Sequence, residues 1–243
     1  AMSMCRPYLQ RWDVNSAGRV DYFIANSRNV AAKIKTLYGR ESAVIHPPVD
    51  SEKFYIRHRQ GSYYLLVSAL VPYKRIDLAI AAFNQLKLPL KIAGNGPMRK
   101  SLERAARRNV EFLGWVDDSR LAELYGACQA LIFPGEEDFG IVPLEAQASG
   151  RPVIGYGKGG LLETVISLDA CGAPNRKSGP TGIMFAEQTS ESLITAVELF
   201  ERRRDAFDPA DIRRHAAGFS RDRFKAQIKE FINLRLNEWR GRA

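Results

Sequence analysis

The stretch IFPGEEDFGIVPLEAQASGRPVIGYGKGG, residues 132–160, reads as strand, loop, helix and strand in succession. An apolar, β-branched run (ALIFPG, 130–135) enters a loop with three consecutive acids, Glu136, Glu137 and Asp138. A helical pattern follows in GIVPLEAQASG (140–150) and carries a fourth acid, Glu145, before a second strand in RPVIGYG (151–157). A strand that passes through a crossover helix into the next strand is the repeating unit of a parallel sheet. Four carboxylates about one turn repel each other and strain a plain connection. Ionised carboxylates only accept hydrogen bonds, so this loop reads as a receiver of hydroxyl groups.

The same alternation continues on both sides. Strand-length apolar runs recur at YYLLVSAL (63–70), LKIAG (90–94), VEFLGW (110–115) and TGIMF (181–185). Helical patterns lie between them at YKRIDLAIAAFNQL (73–86), PMRKSLERAARR (97–108) and DDSRLAELYGAC (117–128). Pro97 suits a first helical turn, and Asp117, Asp118 and Ser119 are candidate caps. The fold class predicted is α/β, a Rossmann-like, doubly wound parallel sheet with helices on both faces. Residues 1–48 stand apart from it. There a strand (21–25), a helix (28–38) stopped by Gly39, and a strand (43–46) precede Pro47 and Pro48, as at the end of another α/β domain whose earlier strands this chain does not contain.

In a parallel α/β sheet, ligands bind beyond the carboxyl ends of the strands. If the helix after the acidic loop begins near Gly140 or Ile141, the amides of Phe139, Gly140, Ile141 and Val142 lack helical acceptors and carry the positive end of the helix dipole. That is a seat for phosphate or hydroxyl oxygens. Glu137 in the loop and Glu145 in the second turn could then face one crevice. For Glu145 alone, an ordinary acid near a helix start is an equal reading.

Composition limits the function classes. The 243 residues are 45% hydrophobic and 26% charged, as in an ordinary globular protein. Cys5, Cys128 and Cys171 are widely spaced and odd in number, which predicts neither a disulfide framework nor a zinc site and fits a reducing compartment. No D-x-D and no cluster of ligand type is visible, so no metal is predicted. His46, His58 and His215 are isolated and read as structural. The net charge of +9 admits nucleic acid, an anionic membrane surface or phosphorylated substrates. In the basic tail (221–239), Phe224, Ile228, Phe231, Ile232, Leu236 and Trp239 recur at helical spacing. This predicts a surface helix packed by one face, with membrane or partner contact as the second reading.

EEDFGIVPLEAQASGRPVIGYGKGGLLETV resembles the signature of retaining glycosyltransferase family 4, an E-x7-E motif whose glutamates are Glu137 and Glu145. FLGWVDD, GNGPMRKSLE and LVSALVPYKRIDLAIAAFNQL resemble the flanking segments of that family in the same order. WDVNSAGRVDYFIANS, VIHPPVD and VPYKRID look most like bacterial mannosyltransferase-type enzymes of surface polysaccharide and lipopolysaccharide assembly.

The resemblance implies the C-terminal, donor-binding half of a GT-B fold. Residues 63–203 would be the nucleotide-sugar-binding domain. Residues 1–48 would be a piece of an otherwise absent acceptor domain, 49–62 a linker, and 204–243 helices that cross back toward the N-terminal piece. Glu145 would bind the ribose hydroxyls and Glu137 those of the transferred sugar near the reacting carbon. The amides of Phe139, Gly140, Ile141 and Val142 would hold the sugar and pyrophosphate, and Lys74 would neutralise the latter. Val116 and Asp118 would border the base, and Gly94 and Gly96 would let their loop approach the nucleotide. The family often has an arginine five residues before the lysine; Ala69 stands there, which leaves Arg75 as the candidate second cation or as a solvated helix residue. Gly159 and Gly160 read as turn residues and Glu163 as structural.

The activity implied is retaining transfer of a hexose, with GDP-mannose preferred over a UDP-hexose, to a glycan or lipid-linked acceptor. No cofactor or metal is implied. The expected partners are the nucleotide sugar, the acceptor, a separate N-terminal domain or a second copy, and an anionic membrane touched peripherally. The expected location is the cytoplasm or the inner membrane face. The chain is expected to be a fragment, or one of two polypeptides, that binds donor but transfers it poorly alone. A nucleotide-sugar hydrolase or epimerase and a basic nucleic-acid-binding protein are the alternatives; no recognition helix supports the latter, and nucleic acid is not expected as a partner.

Overall fold

A computed structural model describes residues 2–57, 61–170 and 179–241; His58 and Cys171 lie outside them. The chain opens with α1 (Met2–Ala17), followed by β1 (Phe23–Ala25), α2 (Arg28–Tyr38) and β2 (Ser42–Val44). Helix α1 was not foreseen, because it buries little: Tyr8, Leu9, Trp12 and Val14 are exposed, and Ala17 is buried at its end. The next helix follows its sequence signals closely. Ser27 caps it by accepting from the Val30 amide, and Gly39, at φ 64°, ends it in the left-handed conformation that glycine tolerates. β1 and β2 pair in parallel, Phe23 opposite Ser42.

The second unit is β3 (Tyr64–Val67), α3 (Ile76–Leu86), β4 (Leu90–Ala93), α4 (Arg99–Ala105), β5 (Val110–Gly114), α5 (Asp118–Ala127), β6 (Leu131–Phe133), α6 (Ile141–Ala148), β7 (Val153–Tyr156), α7 (Leu161–Thr164), β8 (Gly182–Phe185) and α8 (Ser190–Arg202). Helices α9 (Pro209–Ala217) and α10 (Arg221–Arg240) close the chain. The six strands β3 to β8 form one sheet and are all parallel, in the order β5-β4-β3-β6-β7-β8.

The two-residue period of the strands sorts the core. Tyr64, Leu66, Ile92, Ile132, Ile154 and Ile183 face α3 and α8, packing on Phe83, Val197 and Phe200. Leu65, Leu131, Phe133 and Val153 face the other way, onto Tyr125, Leu144 and Ala216 of α5, α6 and α9. Full burial of each such side chain is worth roughly 1.5–3 kcal/mol, so both helical layers are bound firmly to the sheet.

Two expected boundaries shift. The helix after β3 was expected from residue 73. A 3-10 turn at Pro72–Lys74 comes first, and Arg75, at φ 53°, breaks the path before α3 begins. Helix α4 starts at Arg99, so Pro97 precedes it instead of occupying its first turn.

The connecting segment after β2 is held by arginines. Arg213 donates to the carbonyls of Ser51 (3.0 Å) and Phe54 (2.6 Å). Arg151, fully buried, donates to those of Arg57 (2.8 Å) and Gly126. A buried guanidinium needs such acceptors, because an unpaired buried charge is expensive.

The first unit touches the second through α2, α10 and His46. Glu163 on α7 accepts from the amides of Arg28 (2.9 Å) and Asn29 (3.1 Å) at the start of α2, and from His46 Nε2 (2.9 Å). Helix α10 meets the residue before β1: the Tyr22 hydroxyl donates to Glu238, and Arg235 covers the rings of Tyr22 and Phe231. Of the tail's apolar positions, Phe231 is half-buried while Ile232, Leu236 and Trp239 are exposed.

Burial raises the Glu163 pKa, but the bonds from Arg28, His46 and Asn29 outweigh it, and the carboxyl sits below its ordinary 4.5. A depressed carboxyl stabilises the fold above the unfolded-state value, and that contribution is lost as pH falls through the folded-state value. Glu163→Gln is therefore expected to cost about 1–3 kcal/mol at pH 7 and to lose less stability than the parent between about pH 5 and pH 3. Denaturant unfolding across that range measures both, and parallel pH profiles would remove Glu163 from this role.

Candidate functional site

β3 and β6 are neighbours in the middle of the sheet, Leu65 opposite Leu131, yet the chain leaves them in opposite directions, β3 toward β4 and β6 toward β7. The two departing loops diverge and leave a crevice between them. It is a cleft of about 670 Å³. Val67, Ser68 and Ala69 with Tyr73 and Lys74 form the β3 wall, and residues 136–142 form the β6 wall. Asn26, Lys33 and Pro47 reach it from the first unit.

Close backbone contacts shape the acidic loop. A Cβ on Gly135 would stand 3.0 Å from Lys74 Cα, so the two walls touch at the cleft floor. On the other side the Gly160 amide donates to the Glu137 carbonyl (2.8 Å), and a Cβ on Gly160 would meet Phe139 Cα at 2.2 Å. Only glycine permits that approach. Phe139 turns inward, buried, and stacks on His46 with centroids 5.4 Å apart. The loop is thus polar toward the cleft and anchored by an aromatic side chain beneath.

Gly140, at φ 87°, turns the chain into α6, whose first residues are Ile141 and Val142. First-turn amides have no intrahelical acceptor, and here they border the cleft. Lys74 and Glu137 form an ion pair across it, their side chains 15% and 27% exposed. A cation, a carboxylate and free amides therefore converge on one cavity. That arrangement can hold a phosphate beside a hydroxyl-bearing group.

The remaining candidate residues lie elsewhere. Glu145 does not line this cleft; it borders a small separate cavity of about 80 Å³ with Asp50, Lys53, Phe54, Asp118 and Leu121. The buried Tyr125 hydroxyl donates to it at 2.9 Å. Burial raises the Glu145 pKa, and nearby Asp118 adds to the rise, against the Tyr125 bond and Lys53. Arg75 turns out of the cleft: its Nη1 donates to Gln188 (3.1 Å), whose amide donates to the Pro134 carbonyl (2.9 Å). Val116 is half-buried against the core. Gly94 and Gly96 support the β3 wall from behind; a Cβ would stand 1.9 Å from the Ser68 carbonyl oxygen at Gly94 and 2.5 Å from that of Leu70 at Gly96. Their lack of side chains is required by backbone packing.

Several cleft residues escaped the sequence reading. Asn26 follows β1 and Ser68 follows β3, at carboxyl ends of parallel strands, so the same rule that found the acidic loop could have found both. Lys33 lies one helical turn beyond Asn29, and both meet Asp138; no local signal marks it. His46 bonds Glu163, and His215 Nε2 lies 3.1 Å from the Thr164 carbonyl, so both serve packing. Cys128 is buried, which pushes its thiol up to about 12, and Cys5 is exposed. Among the described residues no group of three or more His, Cys, Asp and Glu is placed to hold a metal, and no helix is long and apolar enough to cross a membrane.

A carboxyl whose pKa is raised on folding opposes the fold at every pH above the unfolded-state value, and the penalty fades as pH falls through the folded value. Glu145→Gln keeps an acceptor for Tyr125 and removes the charge. Its thermal midpoint at pH 7 to 8 is expected to equal or exceed that of the parent, although the side chain borders a cavity. A clear drop would show that the buried charge supports the fold.

The family profile described as "Glycosyl transferases group 1" matches residues 31–217. Among curated proteins, the glycogen synthase of Mycobacterium tuberculosis is 30% identical over 214 residues, covering 81% of this chain and 48% of the relative. The O-antigen chain mannosyltransferase C of Escherichia coli is 27% identical over 171 residues, covering 63% and 45%. This chain thus spans about half the length of the curated relatives it matches. Among solved structures, Anabaena Alr3699/HepE in complex with UDP and glucose superposes with a TM-score of 0.78 at 21% identity, covering 92% of this chain and 66% of that one. With a profile match across most of its length and the GT-B architecture in its sheet, this chain belongs to the group 1 glycosyl transferases.

Proposed function

We propose that the cleft is the donor site of a retaining, family 4 hexosyltransferase that uses a nucleoside-diphosphate sugar, GDP-mannose before a UDP-hexose. The acceptor is a glycan or a lipid-linked glycan of surface polysaccharide assembly, and the site faces the cytoplasm. The observation that carries this reading is the meeting of Lys74 and Glu137 at the sheet's reversal point, beside the free amides that open α6. The mannosyl preference draws on the mannosyltransferase among the relatives.

In the reaction, the bond from the anomeric carbon to the diphosphate oxygen breaks and its electron pair leaves with the diphosphate. The acceptor hydroxyl oxygen forms the new bond to the anomeric carbon and passes its proton to the departing diphosphate. Negative charge therefore grows on the leaving group, where Lys74 and the amides of Gly140, Ile141 and Val142 oppose it with little reorganisation. These groups take the place of a metal. Glu137 accepts hydrogen bonds from the sugar hydroxyls. Glu145, with Asp118 at its cavity, accepts from the ribose, and its burial strengthens that contact.

Calorimetric titration of the chain with GDP, UDP, ADP and their sugars tests the proposal. Lys74→Ala is expected to weaken the nucleoside diphosphate far more than the nucleoside. Glu145→Ala is expected to weaken free nucleotide by about 1.5–3 kcal/mol, the scale of a charge-assisted bond. Glu137→Ala is expected to weaken only the nucleotide sugar, and to leave free nucleotide equal or tighter because Lys74 loses its present partner. Equal losses for both ligands in both glutamate variants would overturn this division of roles, and absence of nucleotide binding would overturn the donor site.

A further inference from the structure

Among the described residues, the side chains lining the cleft include two cations. Lys74 follows β3, and Lys33 comes from α2, outside the six-stranded sheet. Each is matched to one of two successive carboxylates: Lys74 pairs with Glu137, and Lys33 Nζ lies 2.5 Å from Asp138 Oδ1. The other basic candidate, Arg75, is held by Gln188, and Ala69 brings no charge to the wall. A diphosphate entering this cleft thus meets one lysine of the domain itself, with the second in reach only from the first unit.

We propose that Lys33 is the second donor-binding cation, exchanging Asp138 for the phosphate farther from the nucleoside. This rests on the donor-site reading above. Helix α2 is well placed for it. Glu163 caps the first amides of α2, and Asn29 Nδ2 donates to Asp138 at 3.1 Å, so the backbone that carries Lys33 is fixed at the rim. Its flexible stem can move while the helix stays. The present pair is easily exchanged: the Lys33 and Asp138 side chains are 51% and 52% exposed, and solvent-screened pairs of this kind contribute little. A phosphate carries more charge than a carboxylate and offers more acceptor oxygens. Asp138 keeps Asn29 as a donor when Lys33 departs. The approach is from the acidic loop, whereas Glu145 borders a separate cavity, so Lys33 meets the outer phosphate. Donor binding would then tie α2 to the nucleotide domain by charge.

The test compares GDP with GMP, and UDP with UMP, on the full chain and on Lys33→Met, which retains the apolar stem. The expected result is a fall of roughly two- to fivefold in diphosphate affinity, the scale of one screened charge contact, with monophosphate affinity unchanged and with recovery in Lys33→Arg. The salt dependence of diphosphate binding should flatten in Lys33→Met. A purely structural Lys33 would shift both nucleotides together or neither, and either result overturns the proposal while Lys74-dependent binding still supports the donor site. If the parent chain binds none of the four nucleotides, the donor-site reading falls and this proposal with it.

Discussion

The reversal of chain direction between β3 and β6 is the constraint on which the site depends. Both strands are parallel and hydrogen-bonded to one another, but their crossovers lead to opposite edges of the sheet. No connection covers their carboxyl ends, so two loops remote in sequence can face each other there. Lys74 and Glu137, 63 positions apart, meet because of this geometry. The glycines around them follow from it as well, since the loops pack closely enough that a methyl group at 135, 159 or 160 would meet backbone.

Two of the three carboxylates that line the cleft are paired before any ligand arrives. An acidic loop with free neighbouring amides would be costly to hold together if its carboxylates met only each other. Glu137 takes Lys74, and Asp138 takes Lys33 and Asn29. These pairs differ in burial, so they differ in what exchange would cost. The inner pair is shielded and the outer pair is open to water. Glu145 has a neutral partner instead, the Tyr125 hydroxyl, and burial raises its pKa despite that bond.

The first unit is bound to the six-stranded domain by polar groups at helix ends and by the ring of His46. Glu163 serves two amides and His46 at once, and His46 in turn stacks on Phe139 of the acidic loop. The position of α2 over the cleft and the shape of the loop below therefore share one set of contacts. Helix α10 reaches the same unit from the other side through Tyr22, Phe231 and Arg235.

The alternating strands and helices, the parallel sheet and the acidic loop with its glycine-started helix were legible in the chain itself, because hydrophobic period, caps and left-handed glycines act within a few residues. Ser27, Gly39, Asp117 and Gly140 each behave as their local chemistry requires. Helix α1 was not legible, since its apolar residues bury almost nothing here, and neither was the break at Arg75, which is stabilised by its reach to Gln188, 113 positions away. Which candidate residues share a cavity was decided only by tertiary structure. Glu137 in the loop and Glu145 in the helix that follows are close in sequence, but Glu145 bonds Tyr125 and borders a separate cavity, while Lys33 reaches the cleft from α2, outside the six-stranded sheet. The physical reason is range: caps and periodicity are local, whereas a shared cavity depends on strand order and on contacts between segments that the sequence keeps far apart.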